Sequence, residues 1–264
     1  MNSILSRHYS QDQIFEIMMR GMSLRLPRYN LIPKVLVSFS KLRRLRAALK
    51  SPRRAAVLHG HLDLSLGSLL PDDAEYITLL RHPVQRAISH YHHYRRQSGD
   101  PVHELALRST LTEWVSECGL VELDNGQTRR LAGEMRIPIG RVTCETLERA
   151  KRNLEEKFSI VGITERFEEF QVLVHRRFGW PYSHYPMQNT GRAGRTWGTP
   201  DDDALSTIEA WNRFDLELYR FAAELLDRAI RRFDMETELR LLKSAQVCGS
   251  ATGMGRGAPH LVAV

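Results

Sequence analysis

An arginine and a serine stand at positions suited to holding an anion. Arg81 closes the apolar run Tyr76–Leu80, and Pro83 follows at a position typical of the first turn of a helix. The unpaired N–H groups and the positive dipole end of such a helix favour an anionic ligand. Ser89 lies about two turns along, on the face that can look back toward the strand end. The spacing predicts either a shared phosphate contact or, equally, an ion pair of Arg81 with a carboxylate beside a small packing serine.

Two histidines flank a glycine after another apolar run. His59, Gly60 and His61 follow Ala55–Leu58, which is typical of a short buried strand. Imidazole is the side chain best suited to take a proton from an alcohol near neutral pH, and a glycine lets a substrate approach the backbone. The other interpretation is a metal site, which two histidines without a neighbouring cysteine or carboxylate pattern support only weakly.

The elements that must position these residues alternate between strands and helices. That order predicts an α/β fold with a central, mostly parallel sheet flanked by helices in three layers. The apolar patterns predict strands at Gln13–Met18, Ala55–Leu58, Tyr76–Leu80 and Phe158–Val161, and helices at Val35–Leu49, Leu111–Cys118, Gln127–Leu131, Thr146–Glu156, Glu168–Phe178 and Asp202–Arg232. We expect one domain over residues 1–244 and a disordered tail over 245–264, which is rich in small residues and has no periodicity.

Composition places the chain among ordinary soluble globular proteins. With 264 residues, 42% hydrophobic and 26% charged, it is not collagen, a disordered tail or a membrane channel. No apolar run reaches the roughly 18 residues of a membrane span, so a cytoplasmic protein without a transmembrane segment is expected. Its 3 cysteines have no zinc-binding spacing, and neither a disulfide framework nor a metal is predicted. The net charge of +7, carried mostly by arginine, adds polyanions to the ligands to consider.

Several blocks together resemble the carbohydrate sulfotransferases related to heparan sulfate 2-O-sulfotransferase. The pattern is a strand, an arginine, a proline two residues further on, and a helix with serine and aromatic residues. The similarity covers almost everything from Asn2 to about Phe221. Some blocks look like those of bacterial members, and this resemblance implies a bacterial protein. The blocks are HGH at His59–His61, LLRHPVQRAISHYHHYRR at Leu79–Arg96, LDNGQTRRLAG at Leu123–Gly133, AKRNLEEKFSIVGITERFEEF at Ala150–Phe170 and NTGRAG at Asn189–Gly194.

The resemblance implies a P-loop-like fold and transfer of a sulfuryl group to a hydroxyl of a carbohydrate acceptor. The co-substrate would be 3′-phosphoadenosine 5′-phosphosulfate, with no metal and no nucleic-acid partner. By this resemblance, His61 or, as the next candidate, His59 is the general base, and Arg81 and Ser89 contact the 3′-phosphate. Asn189 and Arg192 close over the nucleotide. The acceptor cleft is lined by Asp124, Asn125 and Gln127.

One part of the family pattern is absent. The family's loop for the 5′-phosphosulfate lies between its first strand and first helix, whereas this sequence starts at Met1 in what looks like that helix. We expect the reading frame to continue upstream, and the chain as given to fold marginally and lack turnover. Two other classes stay open. One is a P-loop kinase-like phosphotransferase, although no GxxxxGK[ST] motif occurs; the other is a module that binds nucleic acid or heparin-like polyanions.

Overall fold

Among the residues that the structure describes, five short parallel strands form one sheet. The computed structural model describes residues 14–17, 57–60, 63–69, 74–97, 101–180, 200–233, 235, 237–240 and 261–263. The strands lie in the order β1-β2-β5-β3-β4, and every pair is parallel. All carboxyl ends therefore meet at one edge, where open α/β sheets bind ligands. The strands are β1 (Ile14–Ile17), β2 (Val57–Gly60), β3 (Glu75–Leu80), β4 (Phe158–Ile163) and β5 (Leu261–Ala263).

Helices follow and flank the strands. Three of them, α5, α6 and α8, pack against β4. The mixed α/β class with a parallel sheet is confirmed, and so are the four strands expected from the sequence, each with small shifts at its ends. The helices are α1 (Pro83–Tyr94), α2 (Pro101–Arg108), α3 (Leu111–Glu117), α4 (Gly126–Ala132), α5 (Cys144–Lys157), α6 (Phe167–Phe178), α7 (Asp202–Trp211) and α8 (Arg213–Phe233), with short 3-10 turns at Leu64–Leu69, Val121–Leu123 and Thr164–Arg166.

Two helices replace the single one expected over Asp202–Arg232. Helix α7 stops before Asn212, whose backbone leaves the helical region at φ −119° and ψ 27°. Its side-chain amide donates to the carbonyl of Ile208 at 2.9 Å, a local bond that competes with helix continuation. Helix α2 was not expected at all. The helix expected over Val35–Leu49 lies outside the described residues.

Part of the segment expected to be disordered is a strand. Leu261–Ala263 lies between β2 and β3, with Val262 paired to Leu58 on one side and to Tyr76 on the other. These apolar residues suit a strand that is paired along both edges, which a prediction from the small residues before them could not anticipate. The prediction of disorder is wrong for these three residues.

The apolar core has two parts. One packs α5, α6 and α8 around β3 and β4, and the other packs α1, α2, α3 and α7 around Trp114, which is fully buried. At Gly162, inside β4, a Cβ atom would come within 2.5 Å of the Phe170 ring and 3.0 Å of Leu79. Only glycine lets α6 pack this close to the sheet.

Candidate functional site

Arg81 stands at the carboxyl end of β3, and no carboxylate among the described residues pairs with it. Within the part of the chain that the structure describes, its partly buried guanidinium group forms no ion pair or hydrogen bond. Helix α1 begins two residues later at Pro83, with no side-chain cap and no acidic residue in its first turn. A cation and the uncapped start of a twelve-residue helix therefore share one strand end, which favours an anion.

Three residues from two other elements hold the backbone at this strand end. Thr164 Oγ1 donates to the Leu80 carbonyl at 3.0 Å. The Arg81 N–H donates to Gln127 Oε1, and Gln127 Nε2 donates to the Arg81 carbonyl, both at 2.9 Å. The next N–H, that of His82, donates to Glu165 Oε1 at 3.0 Å. The main chain that carries Arg81 is thus fixed residue by residue.

A carboxylate and a phenol lie beside His82, the residue after Arg81. The hydroxyl of Tyr219 donates to Glu165 Oε2 at 3.0 Å, and the His82 ring meets the Tyr219 ring edge-on at 5.2 Å between centroids. Partial burial, together with the negative charge of Glu165, raises the pKa of Tyr219 to about 12. Tyr219 therefore remains a neutral hydrogen-bond donor at physiological pH.

Ser89 lies on α1, and its side chain is half-buried. The buried residues of this helix include Val84, Ala87 and Tyr91. The structure thus places Arg81 and Ser89 on one strand and helix unit at the ligand-binding edge. Their contact with a phosphate stays a prediction.

The predicted histidines are described only in part. His59 belongs to β2 and is in register with Ala263 of β5, which is in register with Ile77 of β3. The backbone of His59 is therefore two strands away from β3 in the same sheet, with roughly 5 Å between neighbouring strands. His61, Asn189 and Arg192 lie outside the described residues.

The three residues predicted to line the acceptor cleft are buried and used inside the protein. Asp124 is 3% exposed, pairs with Arg129 and accepts from the Gly140 N–H at 2.8 Å. Asn125 is 4% exposed, and Gln127 holds Arg81 as described above. These contacts favour a role in positioning the site over contact with an acceptor.

Helices α4 and α8 cap each other. Asn125 Oδ1 accepts from the N–H groups of Phe214 and Asp215 at the start of α8, at 2.8 and 3.2 Å. The Asp215 carboxylate accepts from the N–H groups of Gln127 and Thr128 at the start of α4, at 3.1 and 2.7 Å, and from the Thr128 hydroxyl at 2.7 Å. Asn125 adopts a left-handed backbone conformation with φ of 52°, which asparagine tolerates better than most residues. Burial raises the pKa of Asp215.

A charged cluster joins α1 to α4. Glu122 pairs with Arg86 of α1 and Arg130 of α4. Burial acts to raise the pKa of Glu122, but the two arginines hold it well below its ordinary value. Sequence analysis missed this cluster because its members are separated along the chain and carry no local signature.

Cysteine and metal chemistry find little support among the described residues. Cys118 is buried and Cys144 is exposed, and both are free. Burial raises the pKa of Cys118 to about 12, which keeps it an inert thiol. No group of three potential metal ligands occurs in the described part of the chain. Among the same residues, no helix combines the length and apolar character required to cross a membrane.

Comparison with known proteins identifies relatives. The model of a family described as galactose-3-O-sulfotransferase matches residues 34–248. Heparan-sulfate 6-O-sulfotransferase 1 of Homo sapiens is 31% identical over 182 residues, covering 58% of this chain and 43% of the relative. Heparan-sulfate 6-O-sulfotransferase 1-B of Danio rerio is 30% identical over 199 residues, covering 64% and 48%. The chain therefore spans less than half the length of these curated relatives.

The relatives correct two expectations. The predictions of a bacterial protein and of a cytoplasmic location are wrong, because the matching relatives are vertebrate heparan-sulfate enzymes. The absence of an apolar span says nothing about the compartment, and shared blocks do not fix the source. The kinship with carbohydrate sulfotransferases is confirmed, whereas a specific relation to 2-O-sulfation stays a prediction. With its match over residues 34–248, the chain belongs to the galactose-3-O-sulfotransferase family, a family of carbohydrate sulfotransferases.

Proposed function

We propose that this chain is the part of a sulfotransferase that binds 3′-phosphoadenosine 5′-phosphosulfate and transfers its sulfuryl group to a hydroxyl of a carbohydrate. The observation that carries the proposal is that Arg81 lies next to the uncapped start of α1. Among the described residues, no carboxylate pairs with its guanidinium group. Arg81 and Ser89 bind the 3′-phosphate of the nucleotide. The relatives are named as heparan-sulfate sulfotransferases, which supports a polysaccharide acceptor.

The chemistry is an in-line displacement at sulfur. The acceptor oxygen forms a bond to sulfur while the bond from sulfur to the bridging phosphate oxygen breaks, and that electron pair stays on the departing 5′-phosphate. His61 takes the proton of the acceptor hydroxyl, with His59 as the next candidate. Positive groups and N–H donors stabilise the charge that develops on the leaving group. Asn189 and Arg192 close over the nucleotide. The assignments of His61, Asn189 and Arg192 rest on sequence.

Binding of two nucleotides tests the role of Arg81. Calorimetry on the full 264-residue chain compares adenosine 3′,5′-bisphosphate with adenosine 5′-phosphate, which lacks the 3′-phosphate. We expect Arg81→Ala to lower the affinity for the bisphosphate by roughly tenfold to hundredfold, since a hydrogen bond to a charged group contributes about 1.5–3 kcal/mol. The affinity for the monophosphate should not change. Arg96→Ala is the matched control, because Arg96 is exposed just beyond the end of α1.

Turnover tests the role of His61. In a chain extended at its amino end by the family's 5′-phosphosulfate loop, so that the unsubstituted protein transfers sulfate, His61→Ala should bind the bisphosphate normally and transfer no sulfate to a panel of polysaccharides. Equal affinity of wild type and Arg81→Ala for the bisphosphate would contradict the phosphate site. Normal sulfate transfer by His61→Ala would place the base elsewhere.

A steep salt dependence of binding to any polyanion, without preference for a 3′-phosphate, would favour the binding-module alternative.

A further inference from the structure

We propose that Gln127 is a positioning residue for Arg81 and thereby sets the selectivity of the site for a 3′-phosphate. The inference rests on the proposed function, because it assumes that Arg81 contacts that phosphate. Gln127 itself makes no contact with the nucleotide in this proposal. It acts by fixing the backbone from which the Arg81 side chain extends.

The two hydrogen bonds of Gln127 replace the strand partner that Arg81 lacks. Strand β3 ends at Leu80, so Arg81 is beyond the paired ladder. The side-chain amide of Gln127 accepts from its N–H and donates to its carbonyl, both at 2.9 Å. A primary amide thus pairs with one peptide residue as a neighbouring strand would. Both backbone groups of Arg81 are satisfied by a single side chain.

Gln127 is itself fixed in place. It is 8% exposed and lies in the first turn of α4, where its own N–H donates to the Asp215 carboxylate of α8. The position of the Gln127 amide is therefore set by the packing of α4 against α8. Through this chain of contacts the interior of the protein determines where Arg81 sits.

The neighbouring contacts do not duplicate this function. Thr164 and Glu165 each bond one backbone group, and those groups belong to Leu80 and His82. Gln127 alone among the described residues bonds the backbone of Arg81 itself. Both polar atoms of the buried Gln127 amide are thus engaged with the backbone of Arg81.

The test is the ratio of affinities for adenosine 3′,5′-bisphosphate and adenosine 5′-phosphate, measured by calorimetry on the full chain. Gln127→Leu removes both bonds to Arg81 at similar side-chain volume. We expect the bisphosphate to bind about tenfold more weakly and the monophosphate to bind unchanged, because only the arginine contact is misplaced. Gln127→Asn, which keeps the amide but is one methylene shorter, should lower the ratio in the same direction and serves if Gln127→Leu does not fold.

Asn153→Leu is the matched control. Asn153 is also 8% exposed, and its side-chain amide donates to a backbone carbonyl, that of Leu131, at 2.8 Å. Its replacement removes a comparable buried amide away from Arg81. It should lower the stability of the fold to a similar extent and leave the affinity ratio unchanged.

A double variant separates this inference from the proposed function. If Gln127 acts through Arg81, Arg81→Ala combined with Gln127→Leu should bind the bisphosphate no more weakly than Arg81→Ala alone. An unchanged ratio in both Gln127 variants, with a reduced ratio in Arg81→Ala, would overturn the positioning role and leave the phosphate site intact. An unchanged ratio in Arg81→Ala would overturn the phosphate site, and the role of Gln127 with it.

Discussion

At the scale of single residues, the arginines near the ligand-binding edge divide by their partners. Arg86 and Arg130 share the carboxylate of Glu122, and fully buried Arg129 pairs with Asp124. Arg81 has no such carboxylate among the described residues. A paired guanidinium group is neutralised and held by the fold, whereas the proposed function assigns the donors of Arg81 to a ligand.

Residue roles were predictable where their cause is local. Arg81 follows an apolar strand and precedes a helix, so its place at the ligand-binding edge can be inferred from a few residues around it. The roles of Asn125 and Gln127 could not be inferred, because their partners lie 46 to 90 residues away in the chain. Polar residues in a block that resembles a family's site look like ligand contacts until their partners are known.

Gly162 gives a prediction on packing at this scale. Gly162→Ala should destabilise the fold by about 2 kcal/mol, because the new Cβ would lie 2.5 Å from the Phe170 ring. Urea unfolding followed by circular dichroism measures the change. Ser159→Ala, at an exposed position of the same strand, should cost less than about 1 kcal/mol for its lost bond to the Tyr76 carbonyl. Equal losses in the two variants would argue against the steric explanation.

At the scale of elements, the arrangement of α4 and α8 depends on two reciprocal caps. Each helix begins with N–H groups that have no partner within the helix. Asn125 supplies the acceptor for α8, and Asp215 supplies it for α4. Since the caps are exchanged between helices, they fix the relative position of the two and also stabilise their ends. Because Gln127 lies in the first turn of α4, these two caps also fix the position of Gln127.

Asp215→Asn tests the exchanged cap. An asparagine keeps one acceptor oxygen but brings an NH₂ group toward N–H donors, so we expect a loss of about 2 kcal/mol in unfolding free energy. Asp201→Asn is the control, because Asp201 caps α7 locally with one bond to the Ala204 N–H. Asp201→Asn should lower the free energy of unfolding by less than about 0.5 kcal/mol, since asparagine caps a helix as well as aspartate does. Comparable losses measured by urea unfolding would contradict a special role of the Asp215 carboxylate.

Periodicity predicted most elements but not their limits. Apolar patterns identified four strands and the α/β order, because burial against neighbours imposes those patterns. The stop at Asn212 depends on one side-chain bond, and the eight-residue helix α2 is too short for a clear period. Strand β5 fits between β2 and β3 only because the folded sheet offers it partners on both sides.

At the scale of the whole molecule, an ion cluster links a helix of one apolar cluster to a helix of the other. The first apolar cluster contains residues of β3 and β4 and Leu131 of α4, and the second contains Val84 of α1 and Leu123. Glu122 pairs with Arg86 of α1 and with Arg130 of α4. The junction is therefore held by an ion cluster whose strength depends on one carboxylate being ionised.

This junction predicts how the protein responds to acid. The two arginines hold the pKa of Glu122 below its ordinary value of 4.5, so the stabilisation is present above pH 4.5 and is lost as the pH falls further. Glu122→Gln should cost about 3 kcal/mol at pH 7, because two largely buried arginines lose their partner, and should flatten the decline in stability below pH 4.5.

Urea unfolding at pH 7, 5 and 4 measures both effects of Glu122→Gln. Glu148→Gln removes an exposed ion pair with Lys151 and should change stability by less than about 0.5 kcal/mol at every pH. If Glu122→Gln loses stability in acid as steeply as the wild type does, other carboxylates dominate the acid response. The coupling of the two clusters would then have to be sought in their apolar contacts, because a junction that depends on Glu122 must weaken when that carboxylate is protonated.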